Sequence, residues 1–240
     1  MSAVDPPSAR PRIGRRRPPA VLVVLAGIGS LLFVLPLIGL LVRMPWTDAV
    51  DLLGDDVVTD ALRTSLVTSV AAAAFATVLG VPLAWVLSRV HFPGRRVVRA
   101  IVTLPMVLPP VVGGAALLFA LGRRGVVGEV IDDATGFVFP FTIWGVILAN
   151  TFVAMPFLVI TVEGALDSVD RRFEQAAGGL GASPLTVFRR VTLPMIAPSL
   201  RAGIVLAWAR AFGEFGATVT FAGNLQGRTQ TLPLAIFVSL

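Results

Sequence analysis

Residues 174–194 read EQAAGGLGASPLTVFRRVTLP, a polar stretch with two arginines that separates two long apolar segments. Its apolar residues recur at helical spacing, and the glycines in its first half are typical of a helix end. Ser183 followed by Pro184 predicts a new helix, because serine is a favoured N-cap and proline a favoured first helical residue. Two short amphipathic helices of this kind suit either a docking surface for a second protein or an interfacial pair resting on lipid headgroups.

The rest of the chain is mostly apolar. Its 240 residues are 55% hydrophobic and only 14% charged, whereas about a quarter of the residues of a soluble domain are charged. Runs long enough to cross a bilayer occupy residues 18–42, 64–88, 100–122, 134–162 and 198–221. We therefore predict an all-α polytopic membrane protein with five spanning helices. The apolar run that begins at Leu232 is too short to cross, so we expect a sixth spanning helix to be cut off at the C-terminus.

The arginines indicate which side of the membrane each loop faces. All 20 basic residues are arginine, and most lie in the N-terminal tail, the 89–99 loop and the 163–197 insert, whereas most Asp and Glu residues lie in the other loops. Because arginine-rich loops stay in the cytoplasm, we place the N-terminus, the 89–99 loop and the insert on the cytoplasmic side of the cell membrane. We divide the chain into a disordered basic tail (1–19), a first span with its external loop (20–60) and a transmembrane domain (61–240).

The composition excludes several kinds of active site. The chain has no cysteine and no lysine, and His91 is its only histidine. A P-loop needs a lysine for the nucleotide phosphates, and a two-histidine zinc site needs a second histidine. We therefore expect no catalytic residue, no metal and no cofactor on this chain, so that any ATP and Mg²⁺ belong to a partner subunit. The arginines flank apolar runs, which favours a lipid bilayer over nucleic acid as their environment.

The spacing within residues 174–194 resembles the EAA loop of ABC-importer permeases, which reads E-A-A, three residues, G, nine residues and I-x-L-P. Gln175 stands at the glutamate position of this motif, and Glu174 lies one residue earlier, which is a departure from the general pattern. The resemblance implies that ATPase subunits dock on this coupling loop through Glu174, Gln175, Ala176, Ala177, Gly181, Ala182, Ser183, Leu193 and Pro194.

Two further stretches resemble the molybdate/tungstate branch of these permeases. They are residues 92–129, with FPG, LPMVLPPVVG and GRRG, and residues 207–224, AWARAFGEFGATVTFAGN. The resemblance covers roughly residues 60–238 and implies a type I ABC-importer core. It also implies a homodimer around an oxyanion path, two ATPase subunits, and an external binding protein that delivers molybdate or tungstate. A sulfate/thiosulfate permease is the alternative within this class, and a stand-alone secondary carrier or channel is the alternative outside it.

Charged residues and prolines inside the apolar runs have two interpretations each. Arg210 and Glu214 lie four positions apart on one face of the fifth run, with Thr218 one turn further on. They either line or gate an anion path, as intramembrane charges often do, or neutralise each other and fix helix packing. The stretch from Pro109 to Gly114 is either a hinge or a close-packing surface.

Overall fold

A computed structural model describes residues 19–44, 46–47 and 54–239, and the predicted disordered tail lies almost wholly outside them. Within the described residues every regular element is helical. The helices are α1 (Ala20–Arg43), α2 (Asp56–Arg89), α3 (Arg95–Val107), α4 (Pro110–Leu121), α5 (Gly128–Thr135), α6 (Ile143–Ser168), α7 (Arg172–Gly179), α8 (Pro184–Val187), α9 (Leu193–Phe212), α10 (Gly216–Phe221) and α11 (Leu232–Ser239). They fall into two compact units, one with α1 and one with α2 to α11.

Four helical segments in the described part of the chain are long and apolar enough to cross a membrane. They are α1, α2, α6 and the 29-residue segment Pro184–Phe212, in which a π-helical turn (Phe188–Thr192) joins α8 to α9. The predicted all-α polytopic class is therefore confirmed. The count of five spans, and a sixth beyond them, stays a prediction.

The predicted third span is divided between two helices. α3 ends at Val107, and Leu108 is extended (ψ 137°) because the residue before a proline avoids the helical region. α4 then starts with Pro110 at its first position. With 13 and 12 residues, each helix is shorter than the roughly 20 residues that span a bilayer. Pro105 lies inside α3 without ending it.

The predicted fifth span is wrong at both ends. The helix begins before residue 198, since α9 already contains Leu193, Pro194 and Pro198. The π-helical turn before Leu193 continues the helix into α9, and Pro198 lies inside α9 without ending it. At the other end α9 stops at Phe212, and the separate helix α10 follows after a three-residue break.

Small residues bring α2, α6 and α9 into close contact. Leu158 of α6 is completely buried and lies against a glycine on each neighbouring helix. A Cβ atom added to Gly80 of α2 would lie 3.1 Å from the Leu158 side chain, and one added to Gly203 of α9 would lie 3.2 Å from it. Membrane helices pack this closely where small residues let the backbones approach. These three helices form the main body of the second unit.

A second cluster joins α4 and α10 to α6. Its buried residues are Leu117, Ala149, Val153, Ala217 and Phe221. Gly114 of α4 lies directly against α10, because a Cβ added there would be 2.7 Å from Thr220 Cβ and 2.8 Å from the Ala217 carbonyl oxygen. This geometry favours close packing over a hinge for the stretch from Pro109 to Gly114.

Candidate coupling site at the end of the helix bundle

The insert forms the predicted pair of short helices. The Asp170 carboxylate accepts a hydrogen bond from the Arg172 N–H (2.9 Å) just before α7. After α7 the chain turns at Gly181, whose φ of +85° lies in the left-handed region that favours glycine. Ser183 caps α8 by accepting a hydrogen bond from the Thr186 N–H (3.3 Å), and Pro184 is the first helical residue. The predicted glycine turn and Ser-Pro start are confirmed.

The apolar stripe of this loop faces outwards. Leu180 is 90% exposed, Leu185 65% and Phe173 57%. Gln175, Ala176, Gly181 and Ser183 are exposed beside them, whereas Ala177 and Ala182 are half-buried. Large apolar side chains clustered on an exposed surface are typical of a site that binds another molecule. Leu193 and Pro194 begin α9, where Leu193 is half-buried and Pro194 is exposed.

Unlike the exposed Gln175, Glu174 binds other residues of the chain through its side chain. Its Oε1 accepts hydrogen bonds from Arg89 Nη2 (3.2 Å) and from the Thr192 hydroxyl (2.8 Å). Arg89 Nε lies 3.1 Å from Oε2 as an ion-pair contact without an aligned hydrogen bond. The side chains of Arg89 and Glu174 are only 7% and 16% exposed. The carboxylate next to the motif's acidic position is therefore held inside the protein.

Further polar contacts join α2 and α3 to α6 at the same end of the bundle. Glu163 of α6 is buried and binds Arg99 of α3, and this hydrogen bond raises the pKa of the Arg99 guanidinium above its ordinary value. Ser88 of α2 donates a hydrogen bond to the Asp167 carboxylate of α6. We did not predict Glu163 or Asp167 as site residues. Contacts between their carboxylates and the arginines of the 89–99 loop could have been predicted, since this loop and the insert were both predicted to lie on the cytoplasmic side.

Arg210 and Glu214 form an ion pair between α9 and the start of α10. Arg210 Nη1 lies 2.6 Å from Glu214 Oε2, and the two side chains are 28% and 1% exposed. Glu214 Oε1 also accepts a hydrogen bond from the Ala217 N–H (2.8 Å). The carboxylate thus bridges the break between the two helices.

Thr218 lies in a buried polar chain. Its hydroxyl donates to Asn150 Oδ1 of α6 (3.1 Å), and Asn150 Nδ2 donates to the Thr68 hydroxyl of α2 (3.5 Å). All three residues are at least 98% buried. Asn150 was not predicted as a site residue, because it carries no charge and belongs to no recognisable motif.

The described residues contain no group of three or more His, Cys, Asp or Glu side chains that could hold a metal ion. The features that stand out are instead the exposed helix pair and the charged contacts that attach it to the spanning helices. An all-α membrane protein with such a pair at the end of its bundle has the architecture of an ABC-importer permease. A bacterial ABC transporter involved in the import of alginate matches this fold with a TM-score of 0.66, over 90% of this chain and 79% of that chain, at 21% identity.

Residues 76–238 match the family of binding-protein-dependent transport system inner membrane components, and the chain belongs to this family. It is 45% identical over 217 residues to the molybdenum transport system permease protein ModB of Mycobacterium tuberculosis, covering 90% of this chain and 82% of that protein. The ModB protein of Escherichia coli is 44% identical over 177 residues, covering 74% of this chain and 77% of that protein.

A sulfate transport system permease protein, CysT of Salmonella typhimurium, is less similar. It is 36% identical over 219 residues, covering 88% of this chain and 79% of that protein. The predicted permease family and importer-permease core are therefore confirmed. These relatives are named as permeases and not as enzymes, in agreement with the prediction that this chain is a transporter subunit.

Proposed function

We propose that this chain is the membrane-spanning permease subunit of an ATP-driven importer of molybdate, with tungstate as an alternative substrate. The observation that carries the proposal is the 45% identity, across 90% of the chain, to a permease named for molybdenum transport. The 36% identity to a sulfate permease is lower over a similar length, which makes sulfate the weaker candidate.

The ATPase subunits dock on the exposed side of the coupling loop in this proposal. Small exposed residues, among them Ala176 and Gly181, let another backbone approach closely, and the 90% exposed Leu180 gives a partner an apolar side chain to bury. Residues 171–192 contain four arginines and a single carboxylate, Glu174, which is bound internally. The docking surface is therefore apolar and positively charged, and complementarity favours an ATPase groove with acidic residues at its rim.

The chemistry of ATP hydrolysis belongs to those partners. This chain has no lysine for a P-loop, so ATP and Mg²⁺ bind to two ATPase subunits. The permease itself forms a homodimer around the oxyanion path and receives its substrate from an external binding protein. A related fold supports the last point, since the alginate transporter was solved in complex with a periplasmic protein that carries an alginate pentasaccharide.

The coupling loop and the N-terminus lie in the cytoplasm in this proposal. Arg89, Arg95 and Arg99 lie at the same end of the bundle as the insert, because they contact Glu174 and Glu163. The two arginine-rich loops thus share one end of the bundle, as the positive-inside rule requires of loops on one side of the membrane.

Of the residues predicted for the path or gate, we assign contact with the path to Arg210 alone. Arg210 keeps 28% of its side chain exposed, whereas Glu214 and Thr218 are buried within the single chain. Glu214 holds the guanidinium in position, and Thr218 anchors α10 to α6.

Purified permease and ATPase subunits, reconstituted with the binding protein, test the substrate assignment. We expect molybdate- or tungstate-loaded binding protein to stimulate ATP hydrolysis, and sulfate-loaded protein to stimulate it less. If only sulfate-loaded binding protein stimulated ATP hydrolysis, the molybdate proposal would be wrong and the sulfate alternative would replace it.

A further inference from the structure

We propose that Glu174 is a positioning residue that fastens the coupling loop to the spanning helices and makes no contact with the ATPase. This inference rests on the proposed function, since it assigns the loop's one carboxylate a role in transmitting ATPase motion. The exposed neighbour Gln175 then belongs to the docking surface, and the two adjacent residues have separate tasks.

The contacts of Glu174 join α7 to two other helical segments. Arg89 is the last residue of α2, and Thr192 is the last residue of the π-helical turn, directly before α9. Glu174 of α7 binds both through one carboxylate. The Glu174 carboxylate therefore joins α7 to the ends of two spanning helices, beside a second link in which Arg171 Nη2 donates to the Ser88 carbonyl oxygen of α2 (3.0 Å).

The apolar packing between the loop and α2 is partly open to solvent. A pocket of about 260 Å³ lies between them, with Glu174 in its wall beside Trp85 and Phe188. A neighbouring apolar groove of about 310 Å³ also includes Trp85 and Phe188. Across this space the rings of Trp85 and Phe188 meet edge to face, with centroids 6.3 Å apart. Trp85 and Phe188 also pack against the buried core of the bundle, and the Glu174 carboxylate adds a charged contact to this apolar packing.

Burial keeps the Glu174 carboxylate from turning outwards. The Arg89 side chain is 7% exposed and Thr192 is 1% exposed. If Glu174 rotated towards a partner protein, the Arg89 guanidinium would remain buried without its counter-charge, which is strongly unfavourable. Water at the docking surface hardly reaches the Arg89 guanidinium and could not replace its lost ion pair.

Two single substitutions separate attachment from docking. Glu174→Gln keeps the shape of the side chain and removes its charge, and Gln175→Arg places a bulky cation on the exposed surface. We expect Glu174→Gln to retain the ATPase subunits on co-purification but to lower the stimulation of ATP hydrolysis by loaded binding protein by about tenfold, within the range typical of coupling between sites. We expect Gln175→Arg to lower ATPase retention instead.

Further variants control for misfolding and for the loss of any carboxylate. Thr192→Val removes one hydrogen bond without stranding a charge, and we expect it to lower stimulation in the same direction by a smaller factor. Glu129→Gln makes the same chemical change at an exposed carboxylate of α5, and we expect wild-type stimulation.

Loss of ATPase retention in Glu174→Gln would overturn the inference, because the carboxylate would then contact the ATPase. Full stimulation in that variant would overturn it as well. Failure of the wild-type chain to bind any ATPase would instead refute the proposed function on which the inference rests.

Discussion

Gly114→Ala tests the close contact between α4 and α10. The added Cβ would lie 2.7 Å from Thr220 Cβ, 2.8 Å from the Ala217 carbonyl oxygen and 3.0 Å from Ala217 Cα. Two of these three atoms belong to the backbone of α10 and cannot rotate away. The two helices must therefore move apart, and the movement disturbs the Ala217 N–H that hydrogen-bonds to Glu214.

The neighbouring Gly113 provides a matched control. A Cβ added there would meet a single side chain, with Phe152 Cε1 at 3.2 Å as its nearest atom, and an aromatic ring can shift by a few tenths of an ångström. In addition, replacing glycine by alanine inside a helix stabilises it by up to about 1 kcal/mol. We therefore expect Gly113→Ala to be close to neutral.

Forcing an extra methyl group into a well-packed contact costs about 1–3 kcal/mol. A loss of 1 kcal/mol lowers the Tm of a chain of this size by about 2–4 °C. Both substitutions lie inside α4 and share the helical gain, so the Tm of Gly114→Ala is expected to lie roughly 2–12 °C below that of a Gly→Ala change without the clash, measured by thermal unfolding of the detergent-solubilised protein. An equal or larger decrease for Gly113→Ala would refute the assignment of Gly114 as the point of closest approach.

Three further predictions concern the loop and its charged contacts. Gly181→Ala should destabilise the turn by about 1–2 kcal/mol, the cost of a left-handed conformation for a residue with a side chain, and should weaken ATPase retention. Gly178→Ala is the control, since its added Cβ meets open space and its φ is not positive, and it should leave both the stability and ATPase retention unchanged. Equal effects of the two substitutions would contradict the role of the turn. Arg210→Gln should lower the Tm more in the wild-type background than in Glu214→Gln, because it strands a buried carboxylate, and additive losses in this double-mutant cycle would contradict a coupled pair. Glu163→Gln should lower the Tm because it removes the ion pair that holds Arg99 of α3 against α6. An unchanged Tm would show that this ion pair contributes no stability.

Local patterns made much of the fold predictable. Apolar runs located α1, α2 and α6, and the Ser183-Pro184 start of α8 depends only on residues adjacent in sequence. The division of the third predicted span followed from Pro109 and Pro110. These features could be predicted because their causes lie within a few residues of their effects.

The remaining features depend on contacts between distant residues. Glu174 turns inwards because its partner Arg89 is 85 positions away, and no sequence spacing reports that distance. Thr218 is buried because Asn150 lies opposite on α6, 68 positions earlier. The continuation of the helix through Pro194 depends on the π-helical turn before it, which ordinary helical periodicity does not reveal.

The most direct test of the central claim is uptake of labelled molybdate by proteoliposomes that contain the permease and its ATPase, with loaded binding protein outside and ATP inside. The proposed function predicts accumulation that requires ATP, the ATPase and the binding protein together, and that falls when Gly181→Asp disrupts the docking surface. Molybdate accumulation by the permease alone, without ATP, would contradict the claim and identify the chain as a stand-alone carrier.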